Sequence, residues 1–371
     1  MAAPLLQTKL CLPPPRPDRV ARPRLIERLD EGLRLGRKLT LLSAPAGFGK
    51  TTLLSAWGGQ SPCPVAWLSL DEADNDPAQF LTYLIAAFQQ LDATIGRTAQ
   101  QIQPAPQGLP TQVLMASLIN DLAAVGKSVL LILDDYHLIT SPDVHQAVQF
   151  LLENQPQFLH LVISTRHDPS LPLPRLRARG QVTEIRERDL RFTEEETTTF
   201  LNRTMGLGLS TEAVAALDGR AEGWIAGLQL AALALQEEHE SPDAFIATFT
   251  GDDRYIMDYL ITEVLQRQPP PLRDFLRQTA ILDRLSAPLC NAVAEREDSQ
   301  AVLEQLEAAN LFVIPLDHRR EWYRYYQLFA GFLRAMLSRE EQAGLHRRAT
   351  RWYEAQGLLS QAIHQDRKSV V

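Results

Sequence analysis

The sequence predicts a two-part molecule: an α/β region with a parallel sheet, followed by a largely helical region. As far as residue 190, short apolar segments alternate with helical patterns, which is typical of a parallel sheet covered by helices on both faces. From residue 191 onward, strand signals become rare. A glycine-rich turn lies between the first apolar segment and the next helix, at the edge where such sheets bind ligands.

The α/β region contains five predicted strands and the helices between them. The strands are the short apolar segments at 39–43, 65–70, 128–133, 159–164 and 182–185. Helices are predicted from helical spacing and capping residues at 23–35, 50–57, 80–91, 111–125 and 144–152. A loop is predicted at 101–110 because three prolines and a glycine fall there.

The helical region has its own internal order. Thr193 and Glu196 have the spacing of a capping box, which predicts a helix start. The segment 268–271 contains three consecutive prolines and breaks the chain. Beyond it, three short helices at 272–279, 286–293 and 301–309 precede a strand pair at 311–316 and 322–326. This order is typical of a winged helix.

The composition excludes several classes of protein. The 371 residues carry 37 Lys plus Arg against 45 Asp plus Glu, and this acidic balance argues against a nucleic-acid-binding surface. No apolar stretch approaches the roughly 20 residues of a membrane-spanning helix. Three widely separated cysteines argue against a disulfide framework or a thiolate metal site. We therefore expect a cytoplasmic protein with no membrane partner.

The strongest chemical signal is a phosphate-binding loop. Residues 44–51 match G-x-x-x-x-G-K-[ST] except at the first position, which is Ala44. Two glycines let successive N–H groups point into one concavity, and the helix that follows adds its positive end. Lys50 is placed to reach the β- and γ-phosphates, and the Thr51 hydroxyl to bind Mg²⁺. The predicted nucleotide-binding residues of the loop are Ala46, Gly47, Phe48, Gly49, Lys50, Thr51 and Thr52.

Three further candidates end predicted strands. Asp134 follows a run of apolar residues and is the candidate Mg²⁺ ligand beside Thr51. Asp135 either polarises the attacking water or caps the following turn. Arg166 ends the next strand and faces the terminal phosphate if that strand lies beside the first; the alternative is an exposed surface arginine. Lys50, Asp134, Asp135 and Arg166 are the candidate catalytic residues.

The phosphate loop and the strand-end residues occur together with several further sequence segments. The segments are 20–25 (VARPRL), 43–52 (SAPAGFGKTT), 67–71 (WLSLD), 133–137 (LDDYH), 164–169 (STRHDP) and 222–224 (EGW). Together they resemble MalT-like regulators, the large ATP-binding LuxR-type transcription activators within the STAND class of signalling NTPases. The resemblance covers nearly the whole chain.

The resemblance implies a fold, a domain order and a set of ligands. The fold is an α/β P-loop NTPase domain of the ASCE/STAND type at 1–190, an all-α helical domain at 191–268 and a winged-helix domain at 269–340. Residues 341–371 begin a TPR-like helical-repeat sensor. ATP or ADP lies among the first three domains, with Val20 and Arg22 near the adenine. Lys50 and Thr51 contact the phosphates and Mg²⁺, Asp134 contacts Mg²⁺, and Arg166 senses the terminal phosphate.

The resemblance also implies a switch, closed with ADP and self-associating with ATP. A repeat domain and a C-terminal helix-turn-helix, both absent from this chain, then bind the inducer and DNA, so we expect a truncated chain or an incomplete gene model. Two positions depart from the family: Ile225 replaces a proline, and Tyr326 replaces a histidine near the nucleotide. The alternatives are a stand-alone P-loop ATPase or small-molecule kinase, and an adaptor whose nucleotide is structural.

Overall fold

The computed structural model describes residues 5–15, 19–102, 111–237, 245–246 and 249–369. The chain divides into two compact units. The first comprises Met1–Ala44 and Gly49–Leu190, and the second comprises Pro45–Phe48 and Arg191–Val371. Four residues of the predicted phosphate loop therefore belong to the second unit. In the described part of the chain, no helix combines the length and apolar character needed to cross a membrane.

The first unit is built on a five-stranded parallel sheet. Its strands are β1 (Leu39–Ser43), β2 (Val65–Ser69), β3 (Val129–Asp134), β4 (Leu159–Thr165) and β5 (Val182–Arg186), in the order β2-β3-β4-β1-β5. The three central strands are buried along their whole length, which explains their continuous apolar sequences. β4 pairs with β1, so that Ser43 lies opposite Thr165. The predicted parallel sheet is confirmed.

Helices and short turns pack against this sheet. The helices are Pro23–Arg34, Lys50–Gly58, Pro77–Gln89, Arg97–Ile102, Thr111–Val125, Pro142–Asn154, Leu173–Ala178 and Glu187–Leu190, with 3-10 turns at Gln7–Lys9, Glu72–Asn75 and Tyr136–Leu138. The predicted loop at 101–110 is wrong at its start, because the helix that begins at Arg97 continues through Ile102. The prolines that were expected to stop it begin only at Pro104. Residues 103–110 lie outside the described residues.

Helices dominate the described residues of the second unit. They are Glu194–Thr199, Thr211–Ala221, Ile225–Glu237, Arg254–Leu260, Pro270–Thr279, Ala287–Ala294, Ser299–Ala308, Gln327–Ala335, Arg339–Ala355 and Leu359–Ser369, with π-helical turns at Phe200–Thr204 and Ile261–Leu265. The predicted capping box is confirmed: the Glu196 N–H donates to Thr193 Oγ1 at 3.2 Å, and the Thr193 N–H donates to Glu196 Oε2 at 3.0 Å.

The predicted strand pair is present as an antiparallel hairpin. It consists of β6 (Val313–Pro315) and β7 (Tyr323–Tyr325). The carboxylate of Asp317 closes the connection by accepting the N–H groups of Arg319, Glu321 and Trp322. Three helices followed by this hairpin reproduce the order predicted for a winged helix.

Candidate nucleotide site

The phosphate loop connects the carboxyl end of β1 to the helix Lys50–Gly58. Gly47 and Gly49 have φ angles of 79° and 72°, a left-handed conformation that glycine adopts without strain. The Ala44 N–H donates to the carbonyl of Thr165 at 3.3 Å and continues the β1–β4 pairing by one residue. The loop therefore begins beside the end of β4, as a strand–turn–helix motif requires.

Lys50 is a buried cation at the first position of its helix. Its side chain is 8% exposed, and its Nζ donates to the Ala44 carbonyl at 2.7 Å. The Lys50 pKa is lowered to about 8, mainly by burial and then by the like charge of Arg166. The carboxylates of Asp135 and Asp134 act in the opposite direction. Because burial and Arg166 outweigh the two carboxylates, the charged amine is disfavoured, and a nearby phosphate would stabilise it.

Thr51 and Asp134 lie side by side in the first unit. The Thr51 hydroxyl donates to Asp134 Oδ2 at 2.8 Å. The other carboxylate oxygen of Asp134 is buried and accepts no hydrogen bond from the described residues, which marks a position for a further ligand. Mg²⁺ is usually held by one or two carboxylates while phosphate oxygens and water complete its octahedron. A hydroxyl beside a buried carboxylate oxygen fits that ion.

Asp135 and Arg166 complete the polar edge of the sheet. Asp135 has a φ of 57° and precedes the turn Tyr136–Leu138, but its side chain makes no capping hydrogen bond there. The alternative that its carboxylate caps the turn is therefore wrong. Arg166 directly follows β4, which lies beside β1 as the prediction required. Both charges act on Lys50, so the structure brings these residues together with Asp134 at one edge.

For the remaining predicted residues of the first unit, the structure gives burial and position in the fold. Arg22 is buried directly before the helix Pro23–Arg34, and Val20 is half-buried. Their placement near an adenine stays a prediction. Thr52 is exposed, whereas Gly49 is half-buried at the N-cap of its helix. Their contacts with phosphate also stay predictions.

In the second unit, the loop segment Pro45–Phe48 is bound by residues that the sequence analysis did not assign to the site. The indole Nε1 of Trp224 donates to the carbonyl of Ala46 at 3.1 Å. The backbone N–H of Ala226 donates to the carbonyl of Gly47 at 3.0 Å. The resemblance had drawn attention to residues 222–224, but no local pattern indicates which distant carbonyl an indole reaches.

An aromatic cluster surrounds the fully buried side chain of Phe48. Its ring centroid lies 6.4 Å from that of Phe312 and 6.3 Å from that of Tyr326. The Tyr326 hydroxyl accepts a hydrogen bond from the Arg191 guanidinium, which also lies over the Tyr326 ring. Tyr326, which stands where the family often has histidine, therefore packs against the loop and is held by an arginine.

Glu222 belongs to the segment 222–224 that carries the resemblance, but the sequence analysis assigned it no role in the site. Its carboxylate accepts two hydrogen bonds from the Arg324 guanidinium, at 2.9 and 2.6 Å, and a third from the Gln327 N–H at 2.9 Å. Bidentate, charge-assisted pairs of this kind fix orientation as well as contributing energy. Glu222, which precedes Trp224 by two residues, is thus bonded to Arg324 in β7 of the hairpin.

Comparisons with known proteins agree with this architecture. Residues 261–345 match the MalT winged helix domain family. The HTH-type transcriptional regulator MalT of Cronobacter sakazakii is 35% identical over 364 residues, which cover 97% of this chain and 40% of that protein. Over this shared length, the chain is similar to MalT. The MalT regulator of Klebsiella pneumoniae is 34% identical with the same coverage, so this chain spans about two fifths of the length of these relatives.

A solved structure supports the fold of this chain. A Walker-type ATPase of Pyrococcus abyssi superposes with a TM-score of 0.62 and covers 87% of this chain and 99% of its own. The two are 17% identical, so the likeness concerns the fold alone. The predicted fold class is confirmed: an α/β P-loop ATPase fold, a helical region and a winged-helix domain. The domain boundaries and the roles of the site residues stay predictions.

Proposed function

We propose that this chain is the ATP- and ADP-binding switch module of a LuxR/MalT-type transcription regulator, with slow ATP hydrolysis. The observation that carries the proposal is the placement of Lys50. This lysine is buried at the start of the helix that follows the phosphate loop, and its pKa is lowered to about 8 by burial and by the like charge of Arg166. A cation held this way gains the most from an anionic ligand such as a nucleotide's terminal phosphates.

Each residue of the site has a chemical role in the proposal. Lys50 binds the β- and γ-phosphates, and the N–H groups of residues 46–52 surround them. Thr51 and Asp134 hold Mg²⁺, which when bound neutralises charge between those phosphates. Asp135 orients the attacking water, and Arg166 contacts the terminal phosphate. Val20 and Arg22 contact the adenine.

The hydrolysis serves regulation in this proposal. Interactions with the terminal phosphate favour one of two domain arrangements, so that the ATP state self-associates and the ADP state is closed. The name HTH-type transcriptional regulator, given to the curated relatives, supports a role in transcription. Inducer and DNA would be bound by parts of those proteins beyond the shared length.

The first test identifies the nucleotide that the purified chain carries. The protein is denatured, and the released nucleotide is quantified by chromatography for the wild type, Lys50→Ala and the control Lys127→Ala. Lys127 is exposed and lies away from the loop. We expect about one ADP per chain in the wild type and the control, and none in Lys50→Ala. A wild-type chain that is empty and also fails to bind added Mg·ATP or Mg·ADP would overturn the site assignment.

A second measurement separates the switch from its alternatives. Hydrolysis is followed in a single turnover, and the molecular mass is measured by light scattering with ADP and with ATP. The switch predicts turnover slower than about 0.01 s⁻¹, typical of unassisted regulatory NTPases, and a larger mass with ATP. Fast turnover without a change in mass would favour a stand-alone ATPase or kinase. Retained ADP with no turnover would favour a structural nucleotide.

A further inference from the structure

Two successive carbonyl groups of the phosphate loop point toward one turn of the second unit. They belong to Ala46 and Gly47, and they accept hydrogen bonds from the Trp224 indole and the Ala226 N–H. The peptide bonds are trans, and in a trans peptide the carbonyl and the N–H point in opposite directions. The N–H groups of Gly47 and Phe48 therefore point away from that turn. Successive N–H groups on one side of a loop form the concavity that binds anions.

The contact between the loop and this turn leaves no free space. A Cβ atom added at Gly47 would lie 2.5 Å from the Ala226 Cβ and 2.7 Å from the Trp224 Nε1. Side chains do not approach this closely without a shift of the backbone. The contact thus demands glycine at position 47 independently of its positive φ, and it determines how the loop backbone lies.

The Trp224 indole is itself held rigidly. Its side chain is 2% exposed, with its ring 5.7 Å from Tyr259 and 5.2 Å from Phe312. A Cβ atom at Gly227 would lie 2.5 Å from the indole, so the next helical turn packs closely on it. Because packing sets the ring direction, the N–H donor is already oriented before the loop carbonyl accepts it.

We propose that Trp224 is a positioning residue for the nucleotide site. By binding the Ala46 carbonyl, it keeps the Gly47 and Phe48 N–H groups in the orientation that binds phosphate. This inference rests on the proposed nucleotide-binding function. Trp224 acts through the loop backbone, so its loss weakens nucleotide binding.

The test is Trp224→Phe, which keeps an aromatic ring and removes the indole donor. The affinity for Mg·ADP is measured by calorimetry on the full chain after removal of nucleotide. Loss of one oriented hydrogen bond predicts a Kd roughly threefold to tenfold higher than that of the wild type. The matched control is Trp67→Phe, because Trp67 is also buried and its Nε1 donates to Ser69 Oγ at 2.8 Å.

A second readout separates positioning from stability. Melting temperatures are measured without nucleotide and with saturating Mg·ADP. A purely structural role predicts that both Phe variants lower the melting temperature and keep the full increase on adding ADP. Positioning predicts that Trp224→Phe shows a smaller increase than Trp67→Phe. A Kd for Trp224→Phe within twofold of the wild type would overturn the inference.

A variant on the loop side tests the same contact if Trp224→Phe does not fold. Gly47→Ala forces the loop away from the indole, whereas Gly206→Ala places a side chain at a similar φ of 71° where no atom lies within 4 Å. We expect at least a tenfold higher Kd for Gly47→Ala and an unchanged Kd for Gly206→Ala. Equal Kd values for the two variants would also overturn the inference.

The two proposals fail in different ways. Loss of binding in Lys50→Ala together with wild-type binding in Trp224→Phe and Gly47→Ala would remove the positioning role and leave the nucleotide site intact. A wild-type chain that binds neither Mg·ATP nor Mg·ADP would instead overturn the proposed function, and the positioning role would fall with it.

Discussion

Two buried lysines of the first unit differ in how their charges are compensated. Lys9 and Lys50 are both 8% exposed, in a chain that has only five lysines. Lys9 Nζ lies 2.5 Å from Asp74 Oδ2 and also contacts the half-exposed carboxylate of Asp71 at 3.1 Å. Lys50 Nζ instead donates to a backbone carbonyl in a site that also holds a like charge.

The surroundings of Lys9 are those of a structural residue. Its partner Asp74 is fully buried and also accepts the Asp71 N–H at 2.9 Å, while the Tyr83 ring lies 4.2 Å from Lys9 Nζ. The pair joins the turn Gln7–Lys9 to the turn Glu72–Asn75. The positive charge of Lys9 is compensated within the fold by two carboxylates.

The surroundings of Lys50 act on its charge in both directions. Burial and the Arg166 charge lower its pKa to about 8, because the fold compensates its charge only in part. In the proposed function, an anionic ligand completes that compensation. Burial alone therefore does not distinguish a functional lysine from a structural one; the local balance of charge does.

The largest expected effect is on stability when Lys9 is removed. Lys9→Met leaves the buried Asp74 carboxylate without its cation, which should lower the free energy of unfolding by about 3–5 kcal/mol. Lys50→Met removes a cation that burial disfavours, so it should leave the free energy of unfolding unchanged or higher. Urea unfolding of the nucleotide-free proteins measures both.

A double-mutant cycle provides the control for the Lys9 prediction. Adding Asp74→Asn to Lys9→Met removes the unpaired charge and keeps a hydrogen-bond acceptor for the Asp71 N–H. We expect the double variant to be more stable than Lys9→Met alone. Equal losses of stability in Lys9→Met and Lys50→Met would contradict the distinction between the two lysines.

The second effect is a pH dependence that comes from Lys50. Its folded pKa of about 8 lies below the unfolded value of 10.5, so between these pH values the unfolded chain binds more protons. The free energy of unfolding should therefore rise with pH across this window, by up to about 3 kcal/mol. Affinity for nucleotide should fall over the same range, because a neutral amine does not attract phosphate.

The measurement is the difference between wild type and Lys50→Met in urea unfolding from pH 7 to 10.5 without nucleotide. Other groups, such as tyrosines, titrate in both proteins and cancel in the difference. The wild type should gain stability relative to Lys50→Met above pH 8. Two parallel curves would show that the Lys50 pKa is not lowered by folding.

The surroundings of Lys50 could be predicted from the sequence, whereas those of Lys9 could not, and the reason is physical. Lys50 and Thr51 belong to a local motif, and the end of an apolar strand indicated Asp134, so alternation of strands and helices sufficed to bring them together. The Lys9–Asp74 pair spans 65 residues, and the Trp224–Ala46 bond spans 178. No spacing rule links such positions, because packing decides which distant groups meet.

The same limit applies to backbone conformation. Asp135 was identified from the sequence, but its two alternative roles remained open because its left-handed φ of 57° has no signature in the residues around it. The structure removed the capping alternative, because the Asp135 side chain makes no capping hydrogen bond to the turn. Sequence reasoning thus identified the charged residues of the site and not their orientation.

The smallest expected effects come from the charges around Lys50. Arg166→Gln removes a like charge, so it should raise the Lys50 pKa and move the stability increase to higher pH. Asp135→Asn removes an opposite charge, so it should lower the Lys50 pKa and move the increase to lower pH. Because the Asp135 side chain is 46% exposed, solvent screening keeps its share below about 1 kcal/mol.

Each pH profile is measured against a partner that also carries Lys50→Met, so that only the Lys50 titration remains. Shifts in opposite directions locate both charges at the amine. Because the two act on one group with opposite sign, the double variant Arg166→Gln/Asp135→Asn should titrate close to the wild type. If both substitutions shift the Lys50 titration in the same direction, they act by moving the loop. The charge balance that distinguishes Lys50 from Lys9 would then not explain the Lys50 pKa.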